Sequence, residues 1–146
     1  MTDKKISISD FSLSFGETQV LKAINLDVHR NRISGFMGPS GSGKSTLISV
    51  INKMVFFEEN VRTDGSVFID GVDILSEDVD DVALRKRIGT VFATPIPLPR
   101  SIFENIAFGP RLNGKQKKSD LRYLVEESLR KAFLWDEVKD RLDESA

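Results

Sequence analysis

Gly38-Pro-Ser-Gly-Ser-Gly-Lys-Ser45 is the part of this sequence that most narrows its possible structures. Its residues match the pattern GxxxxGK[ST] at every fixed position, and such a match rarely arises by chance. Glycines let a backbone turn its N–H groups inward, and a helix that begins at the end of the loop adds a positive dipole. The segment is therefore predicted to be a P-loop that holds phosphate groups.

The residues around the loop support this prediction. Residues 32–37 are a short, mostly apolar run, which predicts a strand buried in a parallel sheet. After Lys44, apolar residues recur at the spacing of one helix face, namely Leu47, Ile48, Ile51, Met54 and Val55. Strand, glycine-rich loop and helix is the context that a P-loop requires. The alternative is a flexible glycine-serine loop with a surface lysine.

The pattern assigns a role to each side chain at the end of the loop. Lys44 would place its charge against the β- and γ-phosphates of ATP, and the Ser45 hydroxyl would bind the Mg²⁺ that bridges them. We therefore expect ATP and Mg²⁺ as cofactors, Ser45 as the metal ligand, and no catalytic residue in this chain. The predicted phosphate-binding residues are Gly38, Pro39, Ser40, Gly41, Ser42, Gly43, Lys44, Ser45 and Thr46.

Other segments give a coarse order of elements. Partly alternating apolar residues predict strands on both sides of a turn at Gly16, and residues 66–69 predict another strand. Residues 79–87 predict a short helix, and residues 90–92 a short strand. Three prolines in 95–99 exclude a helix or a central strand and predict an exposed connector. Helical patterns follow, and the first of them begins at Ser101 with a capping box.

Composition excludes several classes of function. The chain has 146 residues, enough for one domain, with 21 basic and 22 acidic residues that nearly cancel. No nucleic acid is expected as a partner, because there is no net basic field. Cysteine is absent, so there are no disulfides or thiolate metal sites. No apolar run is long enough to span a bilayer, so we expect any membrane association to come through a partner.

Several longer segments resemble a known family. Residues 11–16, 20–27 and 33–47 are similar to the start of an ABC transporter ATP-binding subunit, and residues 89–111 and 134–142 resemble its phosphate-importer branch. The resemblance implies an α/β P-loop NTPase of the ABC ATPase type, incomplete, with an N-terminal antiparallel β part and a partial helical subdomain. It also implies two parts, residues 1–94 and 95–146.

The resemblance extends to individual residues and to partners. Phe15 matches the aromatic residue that stacks on adenine, with Val20 beside it, although a core residue at a strand end is an equal alternative for Phe15. Ile102 and Phe103 match the surface that receives the membrane subunit, and burial in the domain's own core is the alternative. The implied partners are transmembrane permease subunits and a second ATP-binding subunit. The implied location is cytoplasmic, on the inner face of the membrane.

Two departures from the family matter for activity. Ala93 stands where the family has a glutamine that helps to bind magnesium and the attacking water, and a methyl group cannot do either. The sequence also ends at Ala146, before the family's signature loop, second acidic strand and switch histidine. We therefore expect an ATP-binding component of a phosphate importer that alone binds but does not hydrolyse ATP. The alternatives are a non-catalytic remnant or regulatory fragment, and an unrelated P-loop kinase.

Overall fold

The computed structural model describes residues 3–114 and 117–146. The chain divides into two compact units, Met1–Thr90 and Val91–Ala146, which we call the first and second units. The expected division after residue 94 remains a prediction.

The first unit contains a four-stranded antiparallel sheet. Its strands are β1 (Lys4–Phe15), β2 (Thr18–His29), β3 (Val61–Ile69) and β4 (Val72–Asp73), in the order β2-β1-β3-β4. The predicted turn at Gly16 is confirmed, since β1 and β2 form a hairpin around it. The expected N-terminal antiparallel part is therefore present.

Helices of the first unit pack on this sheet. They are α1 (Lys44–Ile51), a 3-10 helix (Met54–Phe57) and α2 (Asp81–Arg87). The buried residues of α1, Leu47 and Val50, join a core built mainly from the strands. Burial of these side chains contributes about 1.5–3 kcal/mol for each large aliphatic residue. The core therefore fixes the start of α1, and with it the end of the glycine-rich loop.

Two predicted strands are not formed. Residues 32–37 lie outside every strand, and both Ile33 and Met37 are fully exposed rather than buried. Residues 90–92 are likewise outside any strand, with Val91 fully exposed. A strand is stable only when a neighbour pairs with its backbone N–H and C=O groups. In the part of the chain that the structure describes, neither segment has such a neighbour.

A bulge in β1 brings its backbone unusually close to β3. The register between the two strands shifts between Ser9 and Ser12, and Asp10 within this interval has a φ of 46°. Opposite lies Gly65 with a φ of 88°, where an added Cβ would be 2.6 Å from the carbonyl oxygen of Asp10. Only glycine fits this position without displacement of the backbone.

Asp70 is the centre of a cluster of charges on the first unit. Its carboxylate pairs with Lys5 at 2.7 Å, Arg30 at 2.5 Å and Arg87 at 2.8 Å. Hydrogen bonding from Lys5, reinforced by Arg30, lowers the pKa of Asp70 against the opposing effect of desolvation. The cluster therefore ties α2 to the sheet through a single carboxylate.

We expect Asp70→Asn to lower the melting temperature at neutral pH and to weaken the loss of stability in acid. The lowered pKa of Asp70 means that its contribution is complete above the unfolded-state value of about 4 and disappears as the pH falls through the folded-state value. Asp27, whose pKa is lowered chiefly by a hydrogen bond from Lys4, is the matched control. Thermal melts between about pH 3 and 7 measure the difference; equal effects of Asp70→Asn and Asp27→Asn would contradict this account.

The second unit is helical. It contains α3 (Ile102–Leu112), α4 (Lys118–Lys131) and α5 (Trp135–Val138), with a small core of Ala107, Leu121, Val125 and Leu129. The expected helical part is thus observed. Among the described residues, no helix is both long and apolar enough to cross a bilayer.

The capping box predicted at the start of α3 is half formed. The Ser101 hydroxyl accepts a hydrogen bond from the Glu104 amide at 3.2 Å. The Glu104 carboxylate instead pairs with Arg111, about two helical turns further along α3. Phe103 packs on the core of this unit, which favours the core interpretation of that residue. Residues 95–99 are exposed and non-helical, as predicted.

Candidate functional site

The glycine-rich loop ends where α1 begins. Gly41 and Gly43 have φ values of 77° and 85°, a left-handed conformation that only glycine adopts without strain. Gly43 is buried, and a Cβ there would lie 2.8 Å from Leu21 Cδ2 and 3.3 Å from the Val20 carbonyl oxygen. Close packing against β2 therefore sets the path of the loop into the helix.

Lys44 folds back over the loop. Its Nζ donates to the carbonyl oxygens of Gly38 at 3.0 Å and Pro39 at 2.6 Å, and to the Ser42 hydroxyl at 3.2 Å. These three oxygens satisfy the ammonium group in the way that phosphate oxygens would. The loop is thus already curved around a cation whose partners can be exchanged.

Several donors of the loop are available to an anion. Within the described ranges, the amides of Gly41, Gly43, Lys44 and Ser45 have no hydrogen-bond acceptor. Ser45 is exposed on the first turn of α1, where the helix dipole is positive. Free amides, an adjacent ammonium and an exposed hydroxyl fit a polyphosphate with a bound cation. Magnesium would be held by the Ser45 hydroxyl together with phosphate oxygens.

A cleft of about 470 Å³ adjoins the first turn of α1. Ser45, Thr46 and Ser49 line one wall, and Phe15, at the end of β1, lines it as well. Phe15 is half-buried and also packs against the core of the first unit. Both interpretations of this residue are therefore compatible with its position, because it lines the cleft and also packs against the core.

The predicted site residues are not all in the same place. Ser45, Thr46 and Phe15 line the same cleft, whereas residues 38–44 of the loop and Val20 are not part of its lining, and Val20 packs beside Gly43. Ala93 is exposed in the second unit. The cleft includes one charged residue that the sequence did not suggest, Glu58, which follows the 3-10 helix. The sequence shows only that Glu58 follows the loop along the chain. It does not reveal that the chain folds back to the cleft at this residue.

The matched family decides what kind of P-loop protein this is. The model of the ABC transporter family matches residues 21–146, which is most of the chain. The chain belongs to the ABC transporter family. It is 47% identical over 144 residues to the phosphate import ATP-binding protein PstB of Prochlorococcus marinus strain NATL2A, covering 99% of this chain. That match covers 53% of the relative, so the chain spans about half the length of this curated relative.

Solved structures of ABC proteins share the fold. CbiO1 of Clostridium perfringens, part of the complex cbiONQ, superposes with a TM-score of 0.77 at 23% identity, over 99% of this chain and 55% of its own. A bacterial Atm1-family ABC exporter with ATP bound gives a TM-score of 0.78 at 20% identity, over 99% of this chain and 24% of its own. The expected ABC ATPase fold class is thereby confirmed.

Proposed function

We propose that the loop from Gly38 to Ser45 binds the phosphates of ATP with Mg²⁺, and that Phe15 holds the adenine. The contacts of Lys44 are the observation that carries this proposal: the ammonium lies among loop oxygens, beside amides that lack acceptors. Phosphates that enter this loop replace the carbonyl oxygens around Nζ and pair with the amides. The cleft toward Phe15 has room for the nucleoside.

We further propose that the chain serves as the ATP-binding component of an importer of inorganic phosphate. The similarity to the phosphate import protein of Prochlorococcus marinus supports the substrate. In this proposal the partners are transmembrane permease subunits and a second ATP-binding subunit, and the chain works on the cytoplasmic face of the membrane.

A second candidate function is nucleotide binding without turnover, in a regulatory role. Ala93 favours it, because a methyl group neither orients a water molecule nor binds a metal. Hydrolysis requires a positioned water in addition to bound phosphates. We therefore infer that residues 1–146 on their own bind ATP without hydrolysing it.

Titration with a non-hydrolysable ATP analogue, paired with a phosphate-release assay, tests the proposed ATP site and the proposed lack of hydrolysis. We expect saturable binding that is tighter with Mg²⁺ than with a chelator, and phosphate release equal to that of Lys44→Ala. Absence of saturable binding would overturn the proposed site. Turnover that Lys44→Ala abolishes would overturn only the proposal of binding without hydrolysis.

A further inference from the structure

We propose that the carboxylate of Glu58 recognises the nucleoside, accepting a hydrogen bond from a ribose hydroxyl or from the exocyclic amino group of adenine. This inference rests on the proposed binding of ATP. Glu58 lines the same cleft as Phe15 and Ser45, and among the described residues of that lining it alone carries a formal charge.

The backbone around Glu58 is fixed at the Phe15 end of the cleft. Its amide donates to the Val55 carbonyl at 3.1 Å, which closes the 3-10 helix. Asn60 then accepts a hydrogen bond from the Gly16 amide at 2.9 Å, and Val61 pairs with Phe15 in the sheet. The two residues Asn60 and Val61, which closely follow Glu58, are thus held against the end of β1 that carries Phe15.

The carboxylate has no competing cation in the part of the chain that is described, because none of the ion pairs there includes Glu58. The neighbouring Ser49 hydroxyl donates to the Thr46 carbonyl at 2.8 Å, so its hydrogen is already used. An ionised carboxylate is an acceptor only. It therefore suits the hydrogen-bond donors of a nucleoside, and not the phosphates, which offer only acceptors.

Binding of ATP to the whole chain, compared with Glu58→Gln, tests this role. Glu59→Gln is the matched control, because Glu59 is the adjacent exposed glutamate and does not line the cleft. A hydrogen bond to a charged group in an open cleft corresponds to about a tenfold change in Kd. We expect Glu58→Gln to weaken ATP binding by about tenfold. Glu59→Gln should leave it within about twofold.

Ligand variants identify the donor. The probes are 2′-deoxy-ATP, 3′-deoxy-ATP and purine riboside triphosphate, which lacks the exocyclic amino group. One of them should lose about tenfold in affinity for the wild-type chain and clearly less for Glu58→Gln, because the amide oxygen of glutamine is an uncharged, weaker acceptor. Tripolyphosphate should bind both chains equally, since it has no nucleoside.

The possible failures are distinguishable. If the wild-type chain does not bind ATP, the proposed function fails, and the role of Glu58 with it. If ATP binds but Glu58→Gln matches the wild type, only the role of Glu58 is overturned. Equal weakening of ATP and tripolyphosphate, loss of the effect without Mg²⁺, or no sensitivity to any of the three probes would also overturn nucleoside recognition.

Discussion

We expect Lys44→Ala to weaken the binding of ATP by about a hundredfold or more. In the proposed site, Lys44 would supply the compact charge next to the phosphates, and each charge-assisted hydrogen bond of this kind is worth about 1.5–3 kcal/mol. Two such bonds correspond to about 3 kcal/mol or more of binding free energy, and this energy is equivalent to a change in Kd of about a hundredfold or more. Calorimetric or fluorescence titration with a non-hydrolysable analogue measures it.

Lys86→Ala is the matched control for this experiment. Lys86 is an exposed lysine in the last turn of α2, distant in sequence from the loop, and its removal changes the net charge equally. Binding by Lys86→Ala should stay within about twofold of the wild type. An equal loss in both variants would show that net charge, and not a contact of Lys44, sets the affinity.

Gly65→Ala is expected to lower the free energy of unfolding by about 3 kcal/mol or more. A left-handed residue with a side chain costs about 1–2 kcal/mol, and crowding in a packed region adds about 1–3 kcal/mol. Both apply, because Gly65 has a φ of 88° and its Cβ would lie 2.6 Å from the backbone of Asp10. Denaturation of the whole chain in urea measures the change in midpoint.

Gly71→Ala separates the two contributions. Gly71, in the turn between β3 and β4, has a φ of 82°, but nothing lies within 4 Å of a Cβ there. It should therefore show only the cost of the left-handed conformation, about 1–2 kcal/mol. If Gly65→Ala costs no more than Gly71→Ala, the close contact across the bulge is not a source of instability.

The loop and the helix after it could be predicted from the sequence because their signals are local. The pattern ending in Lys44 and Ser45 fixes residue types at fixed spacing, and the apolar stripe of α1 follows directly. The N-terminal hairpin was equally predictable, since its two strands are adjacent in the chain and joined at Gly16. In each case the pairing partner is a near neighbour in sequence.

Features that depend on distant partners could not be predicted. The apolar run around Ile33 and Met37 has the composition of a buried strand, but pairing requires a neighbour that composition does not supply. The position of Glu58 at the cleft could not be predicted for a related reason. It reaches the cleft only because β3 returns beside Phe15, and that return is a property of the sheet.

The contacts of Lys44 also affect the affinity of the loop for phosphate. Since its ammonium is held by Gly38, Pro39 and Ser42, the chain contains an internal competitor for its own anion site. Entry of a phosphate is therefore an exchange of neutral loop oxygens for charged phosphate oxygens, which make the stronger hydrogen bonds. In the absence of a ligand, the same contacts give the ammonium group hydrogen-bond partners and hold the loop in its curved conformation.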